Sequence, residues 1–250
     1  MKLKDILSPH FCNPAKPLTP LIQVAYDSDF CQDTVTRGVL TADQMHHAAD
    51  RYRLGKSRSG KTIYWMIDEL GIVRDGHIGN SWVSQLLKSR EPHFLHFWHP
   101  TPCLFGLHLL CPTDPTDHTD YYKTHTETQS FTEGGNEKSV GSVCDKTICV
   151  VESEASAVIL SELLPKSLWL AYCDISSLTV DLLEPLQNHI VTIYPRTDPT
   201  MSNDLFFRDY ANAVRQTYPS VHLTIDDTLE KNASPAQKSR CIDLLDFILE

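Results

Sequence analysis

A chain of 250 residues with 41% hydrophobic side chains can bury a substantial core, as one large domain or as two small ones. Its formal net charge of -10 excludes diffuse attraction to phosphate backbones, so any nucleic-acid contact requires a local basic patch. No apolar run approaches the roughly 18 residues that span a bilayer. The apolar stretch before Pro9 is also too short for a signal-peptide core, so the expectation is a cytoplasmic protein with no membrane contact. Cysteines at 12, 31, 103, 111, 144, 149, 173 and 241 form no C-x-x-C pair, which predicts reduced thiols.

In residues 1–40, Pro9, Pro14, Pro17 and Pro20 break any early helix, and the segment reads as an arm of loops and short extended pieces. Thr41 is a capping residue, and Met45, Ala48, Ala49 and Tyr52 follow at helical spacing, which predicts a helix ending near Gly55. The runs TIYWMID and IVRDGHI then read as strands of a hairpin, with Gly71 supplying a positive φ. PHFLHFWH adds a further candidate strand, whereas CLFGLHLL is too short and apolar to assign. These pieces give a small α+β domain over 41–111, followed by a polar linker or exposed loop over 112–145.

From 146 to 250 the pattern alternates between β-branched strands and amphipathic helices. TICVV, LWLAY, IVTIY and VHLTI read as strands, separated by the helical runs SEASAVILSELL, SSLTVDLLEPLQ and NDLFFRDYANAVRQTY. PAQKSRCIDLLDFILE reads as a closing helix, and in the helix before it Phe206, Tyr210, Ala213, Val214 and Thr217 share one stripe. Crossovers of this length require a mainly parallel, doubly wound sheet.

Several groups of residues carry a chemical reading beside an ordinary one. Gly55 to Thr62 fits the phosphate-loop pattern G-x-x-x-x-G-K-[ST], but a phosphate loop leaves a strand and opens a helix. Here a helix precedes and a strand follows, so a flexible basic turn is expected. Arg51, Arg53, Lys56, Arg58 and Lys61 nonetheless form a candidate phosphate-contacting patch; the competing reading is a solvated loop balanced by Asp50 and Asp68. His93, His96, His99 and His108 with Cys103 and Cys111 suggest zinc, yet none of their spacings is a recognised ligand spacing, which favours ordinary half-buried residues. Glu152 and Asp198 each follow a strand of the parallel sheet, at the edge where ligands bind, and carboxylates meeting there can hold magnesium. Their ordinary readings are helix N-terminal stabilisation for Glu152 and Glu154, and turn chemistry beside Pro199 for Asp198.

At these residues the chain resembles the topoisomerase/primase (Toprim) fold, in which a glutamate after the first strand and a D-x-D pair after the third hold a metal. The runs VVESEASAVILSELLPKSLWLAY, IVTIYPRTD and CIDLLDFIL are similar to Toprim-like proteins of unassigned function from mobile elements of anaerobic gut bacteria, and so are YRLG, IYWMIDELGIVRDGHI, FWH and CLFGLHLL upstream. Glu152 matches the family's glutamate and Asp198 the second acid of D-x-D, but Arg196 takes the first acid's place, where a cation repels a metal. Ala155 replaces an expected lysine, Tyr172-Cys173-Asp174 replaces an expected glycine pair, and no N-terminal zinc-finger spacing is present. The resemblance therefore implies a degenerate, non-catalytic protein that binds nucleic acid or a replication or mobilisation partner through the basic hairpin and the cleft of Glu152, Arg196 and Asp198, with Arg196 contacting phosphate directly. One alternative is an active magnesium-dependent phosphodiester-processing enzyme, primase-like or nuclease-like, with Glu152, Asp198 and either Asp174 or Asp243 as ligands. The other is an accessory subunit that binds protein alone.

Overall fold

A computed structural model describes residues 23–90, 100–110, 147–200 and 202–250. The candidate strand at 92–99, the linker at 112–145 and most of the proline-rich arm lie outside these residues. Two four-stranded sheets make up the fold, one antiparallel in the N-terminal half and one parallel in the C-terminal half. No helix among the described residues is long and apolar enough to cross a membrane.

The N-terminal half begins with α1 (Asp29–Thr36), which departs from the expected loops: beyond Pro20 no breaker interrupts the run, and Cys31 and Thr34 anchor it inward. Helix α2 (Ala42–Tyr52) starts as its sequence dictates. Thr41 and Gln44 form a reciprocal capping box that satisfies two otherwise unpaired amides. Met45, Ala48, Ala49 and Tyr52 are all buried, as their spacing predicts. The helix stops at Arg53, not at Gly55, because Arg53 itself takes the left-handed conformation at φ 55°. Strands β1 (Gly55–Lys56), β2 (Thr62–Ile67), β3 (Val73–Ile78) and β4 (Ser81–Trp82) follow in sequential antiparallel order, and α3 (Val83–Arg90) closes the unit. Gly71 turns β2 into β3 at φ 75°, as the hairpin requires.

The parallel sheet contains β5 (Ile148–Val151), β6 (Leu168–Ala171), β7 (Ile190–Ile193) and β8 (His222–Ile225), in the order β6-β5-β7-β8. All three neighbouring pairs are parallel. Helix α4 (Glu154–Leu163) links β5 to β6 on one face, and α5 (Ser202–Thr217) links β7 to β8 on the other. Reversal of direction after β6 moves the connection to the opposite face, as a single hand of crossover demands.

Side chains alternate between the two faces as a pleated strand dictates. Ile148, Val150, Leu168 and Leu170 enter the core under α5, while Cys149, Val151, Trp169 and Ala171 enter the core under α4. The α4 core also takes in Met45, Ala48, Ala49, Tyr52 and Met66, so the N-terminal half is built onto one face of the parallel sheet. Tyr52, fully buried, donates its hydroxyl to the Trp169 carbonyl at 2.7 Å and stacks on Phe105.

CLFGLHLL resolves into neither regular element. Phe105 forms a single antiparallel bridge to Ala171 on the outer edge of β6, and Leu107–Leu110 form a 3-10 turn. Three helical expectations are also corrected. SSLTVDLLEPLQ is a pair of 3-10 segments, Ile175–Ser177 and Val180–Leu186, because Pro185 lacks the amide an α-helix would use. The closing helix is split into α7 (Pro235–Ser239) and α8 (Leu244–Leu249), after the short α6 (Thr228–Asn232), with Cys241 breaking it at φ 51°. In α5 the inward stripe is Phe207, Tyr210, Ala211 and Val214, and Thr217 faces solvent.

Candidate functional site

β5 and β7 lie side by side, yet their outgoing connections run to opposite flanks of the sheet. This is a topological switch point, and the crevice beyond the carboxyl ends of two such strands is where open α/β sheets bind ligands. Glu152 directly follows β5, and the loop Tyr194 to Asp198 directly follows β7. Arg196 Nε lies 3.8 Å from Glu152 Oε2 and donates a 2.9 Å hydrogen bond to the Cys241 carbonyl. Among the described residues no hydrogen bond engages either terminal nitrogen of this guanidinium, whose side chain is 42% exposed. Burial pushes the Glu152 carboxyl above its ordinary value; Arg196 opposes the shift, and Asp174, Asp243 and Glu154 reinforce it.

Asp198 faces a different task. Its carboxylate accepts from the Ser202 hydroxyl at 2.6 Å, the Thr200 amide and hydroxyl at 2.9 and 2.7 Å, and the Asn203 amide at 3.0 Å. These donors hold it well below the usual carboxylate range, and they close the turn that opens α5. Asp174 likewise accepts from the Ser176 amide, and Asp243 from the Ser156 hydroxyl and the Asp246 amide. A guanidinium stands over Glu152 while the other carboxylates are filled by donors of their own chain. Among the described residues no group of three or more His, Cys, Asp or Glu could hold a metal ion. The donor set does not fit magnesium.

The crevice is further occupied by the chain itself. Residues 240–243, between α7 and α8, cross the strand ends: the Ile242 carbonyl accepts from the Thr197 amide at 2.9 Å, and Asp243 holds Ser156 in the first turn of α4. Ile242 is buried. Beside this strap a cavity of about 60 Å³ remains, lined by Pro195, Arg196, Asp198, Phe207, Asp226 and Glu230 among others. Where a glycine pair was expected, Tyr172 is buried against Phe207 and Cys173 adopts φ 70°. The backbone thus keeps a glycine-like conformation, while the side chains fill the space a glycine would leave open.

The basic residues divide into two sets. Arg51 and Arg53 sit at the C-terminal end of α2, and the Arg51 carbonyl accepts from His108 Nε2 at 3.0 Å. Lys56, Arg58 and Lys61 are exposed on the turn joining β1 to β2. Lys56 is paired to Asp27 at 2.5 Å, while among the described residues Arg58 and Lys61 have no ion-pair partner. The acids that balance this turn are Asp27 and Asp29, since Asp50 accepts from Tyr26 and Asp68 pairs with Arg74. The phosphate-loop glycines have other reasons. The Trp65 indole lies against Gly55, where a Cβ would sit 2.6 Å from its Nε1, and Gly60 turns the hairpin at φ 86°. Of the zinc candidates, His93, His96, His99 and Cys111 lie outside the described residues. His108 is buried, and burial pushes the Cys103 thiol up to about 12.

His77 carries no signal in the sequence, because it arrives from β3 in the other half. Its Nδ1 lies 2.6 Å from Glu154 Oε1 at the start of α4, so the β2–β3 hairpin ends at the rim of the switch-point crevice. Lys61 lies three residues from Tyr64, the register partner of His77, which is about 10 Å along a strand.

A parallel α/β sheet with its switch point closed by an arginine–glutamate pair, carrying an antiparallel unit on one face, defines the class of protein. The chain belongs to the family described as domain of unknown function (DUF6371), whose model matches residues 30–119 and 135–197, more than half of it. The match includes Glu152 and Arg196 and ends one residue before Asp198. No curated protein and no solved structure matches the chain.

Proposed function

We propose that this chain is a non-catalytic, Toprim-like protein that binds nucleic acid, in the setting of replication or mobilisation of a mobile element. The observation that carries this reading is the 3.8 Å approach of Arg196 to Glu152 where the acidic set of a Toprim site would gather metal, with Asp198 drawn off to cap α5. A glutamate after the first parallel strand and the Arg196-to-Asp198 loop after the third support the Toprim comparison in order and placement. Arg196 offers terminal nitrogens to a phosphate oxygen, and the Lys61 ammonium lies close to Gly79, two residues beyond His77. Such contacts are charge-assisted and independent of base identity.

The test is fluorescence anisotropy with a labelled 5′-phosphorylated single-stranded 20-mer. Arg58→Ala with Lys61→Ala is expected to weaken binding several-fold and to lower the salt slope by about one to two. Arg196→Ala is expected to weaken it further. Magnesium-dependent cleavage or primer synthesis by the native chain would overturn the non-catalytic reading. A second reading, an accessory subunit binding only protein, draws support from the carboxylates Asp198, Asp226, Asp227 and Glu230 around the cavity, which repel phosphate. Absence of oligonucleotide binding at low salt would select it.

A further inference from the structure

Helix α4 is gripped at both ends by histidines from the N-terminal half. His47 on α2 places Nδ1 2.7 Å from Glu162 Oε1 near the end of α4, and His77 on β3 places Nδ1 2.6 Å from Glu154 Oε1 at its start. The side chains of Glu162 and Glu154 are only 9% and 8% exposed, so both carboxylates are largely removed from water, while the His47 and His77 side chains are 37% and 21% exposed. Between them lies an apolar seam that includes Ala48 and Ala49 of α2 and Ala157 of α4, with no further ion pair there among the described residues. Among the described residues these are the two ion pairs that fasten the N-terminal half to α4, beside the Tyr52 hydroxyl bond to the Ala157 carbonyl at 3.5 Å, and each gains its charge only when its imidazole is protonated.

We propose that these two pairs form a proton-dependent clamp, which fastens the N-terminal half to α4 when both imidazoles are charged and loosens it when they are neutral. His47 faces Glu162 on α4 and, on its own helix, Arg51 and Asp50. His77 faces Glu154 on α4, Asp75 on its own strand, Asp174 beyond β6, and the Trp82 ring of β4 at 5.1 Å. The hydrogen bond to its glutamate raises each imidazole above its ordinary value, against burial. For a group raised on folding, the stabilisation is fully present below the unfolded value of about 6.5 and is lost as pH rises through the folded one. Loss of charge leaves two nearly buried carboxylates facing neutral imidazoles, which weakens both contacts.

Thermal midpoints read between pH 6 and pH 9 test the clamp, together with the NMR titration of the histidine ring protons. The native chain is expected to lose on the order of 2–4 °C per pair across this window. His47→Gln and His77→Gln should each remove about half of that slope, and the double variant should lose it. A purely packing role would lower the midpoint equally at every pH. If the double variant does not fold, Glu162→Gln and Glu154→Gln serve instead, each expected to return its histidine to an ordinary titration. A flat native profile, or histidine titrations unmoved by the glutamate changes, would overturn the proposal.

Discussion

Replacement of Asp198 by alanine separates a capping carboxylate from one reserved for a ligand. Its oxygens accept from Ser202, Thr200 and Asn203, the residues that lead into and open α5. Loss of an N-terminal cap costs about 0.5–2 kcal/mol, and loss of a negative charge at the positive end of a helix costs about 0.3–1 kcal/mol more. The rest of α5 is anchored by Phe207, Tyr210, Ala211 and Val214, so fraying stays within its first turn and these figures bound the effect. Asp198→Ala is therefore expected to lose about 2 kcal/mol, or about 4–8 °C in a chain of this size. Asp198→Asn keeps an acceptor and should lose only the charge contribution. Because the folded carboxyl is depressed, its contribution is present above the unfolded value and lost as pH falls through the folded one. The difference between native and alanine forms should accordingly shrink below about pH 4. Urea unfolding at pH 7 and pH 3 measures both effects. An alanine variant as stable as the native chain, or more stable, would refute the capping argument, because strained ligand-binding groups are the ones whose removal stabilises.

Gly106 stands at φ 83°, where an added Cβ would meet Tyr52 Cε1 at 3.0 Å and the Trp169 carbonyl oxygen at 3.2 Å. Gly106→Ala is expected to cost roughly 1–3 kcal/mol from strain at this backbone conformation, seen as a lower urea midpoint. Glu152 is half-buried with a raised carboxyl, so its ionised form is unfavourable in the folded state above that value. Glu152→Gln should leave the pH 7 midpoint unchanged or higher and remove the loss of stability that begins as pH rises past the ordinary glutamate range; a clear fall would mean that the ion pair with Arg196 outweighs desolvation.

Much of the fold could be read from periodicity because both of its signals were strong. The β-branched runs ICVV and IVTI are strands, and the stripe Met45, Ala48, Ala49 and Tyr52 is buried as its spacing requires. Helix ends were less legible, because Arg53 and Cys241 take positive φ values that glycine normally announces. Pro185 was visible in the sequence, but whether a proline kinks a helix or converts it to 3-10 turns depends on packing against α5. At the site, strand ends predicted that Glu152 and the Arg196 loop share one edge. Nothing local predicted that His77 would reach Glu154, or that residues 240–243 would lie across the crevice, since both contacts join segments remote in sequence. The turn chemistry weighed for Asp198 is the role its hydrogen bonds display.

The strap over the strand ends also orders events in time. Residues 240–243 are synthesised after all four parallel strands, and domains assemble largely as their segments emerge from the ribosome. A nascent chain lacking them would present Thr197 and Ser156 with unmet hydrogen-bonding groups beside the apolar seat of Ile242 and Leu245. Closure of the crevice over the strand ends therefore waits on residues 240–243, after the four strands it covers.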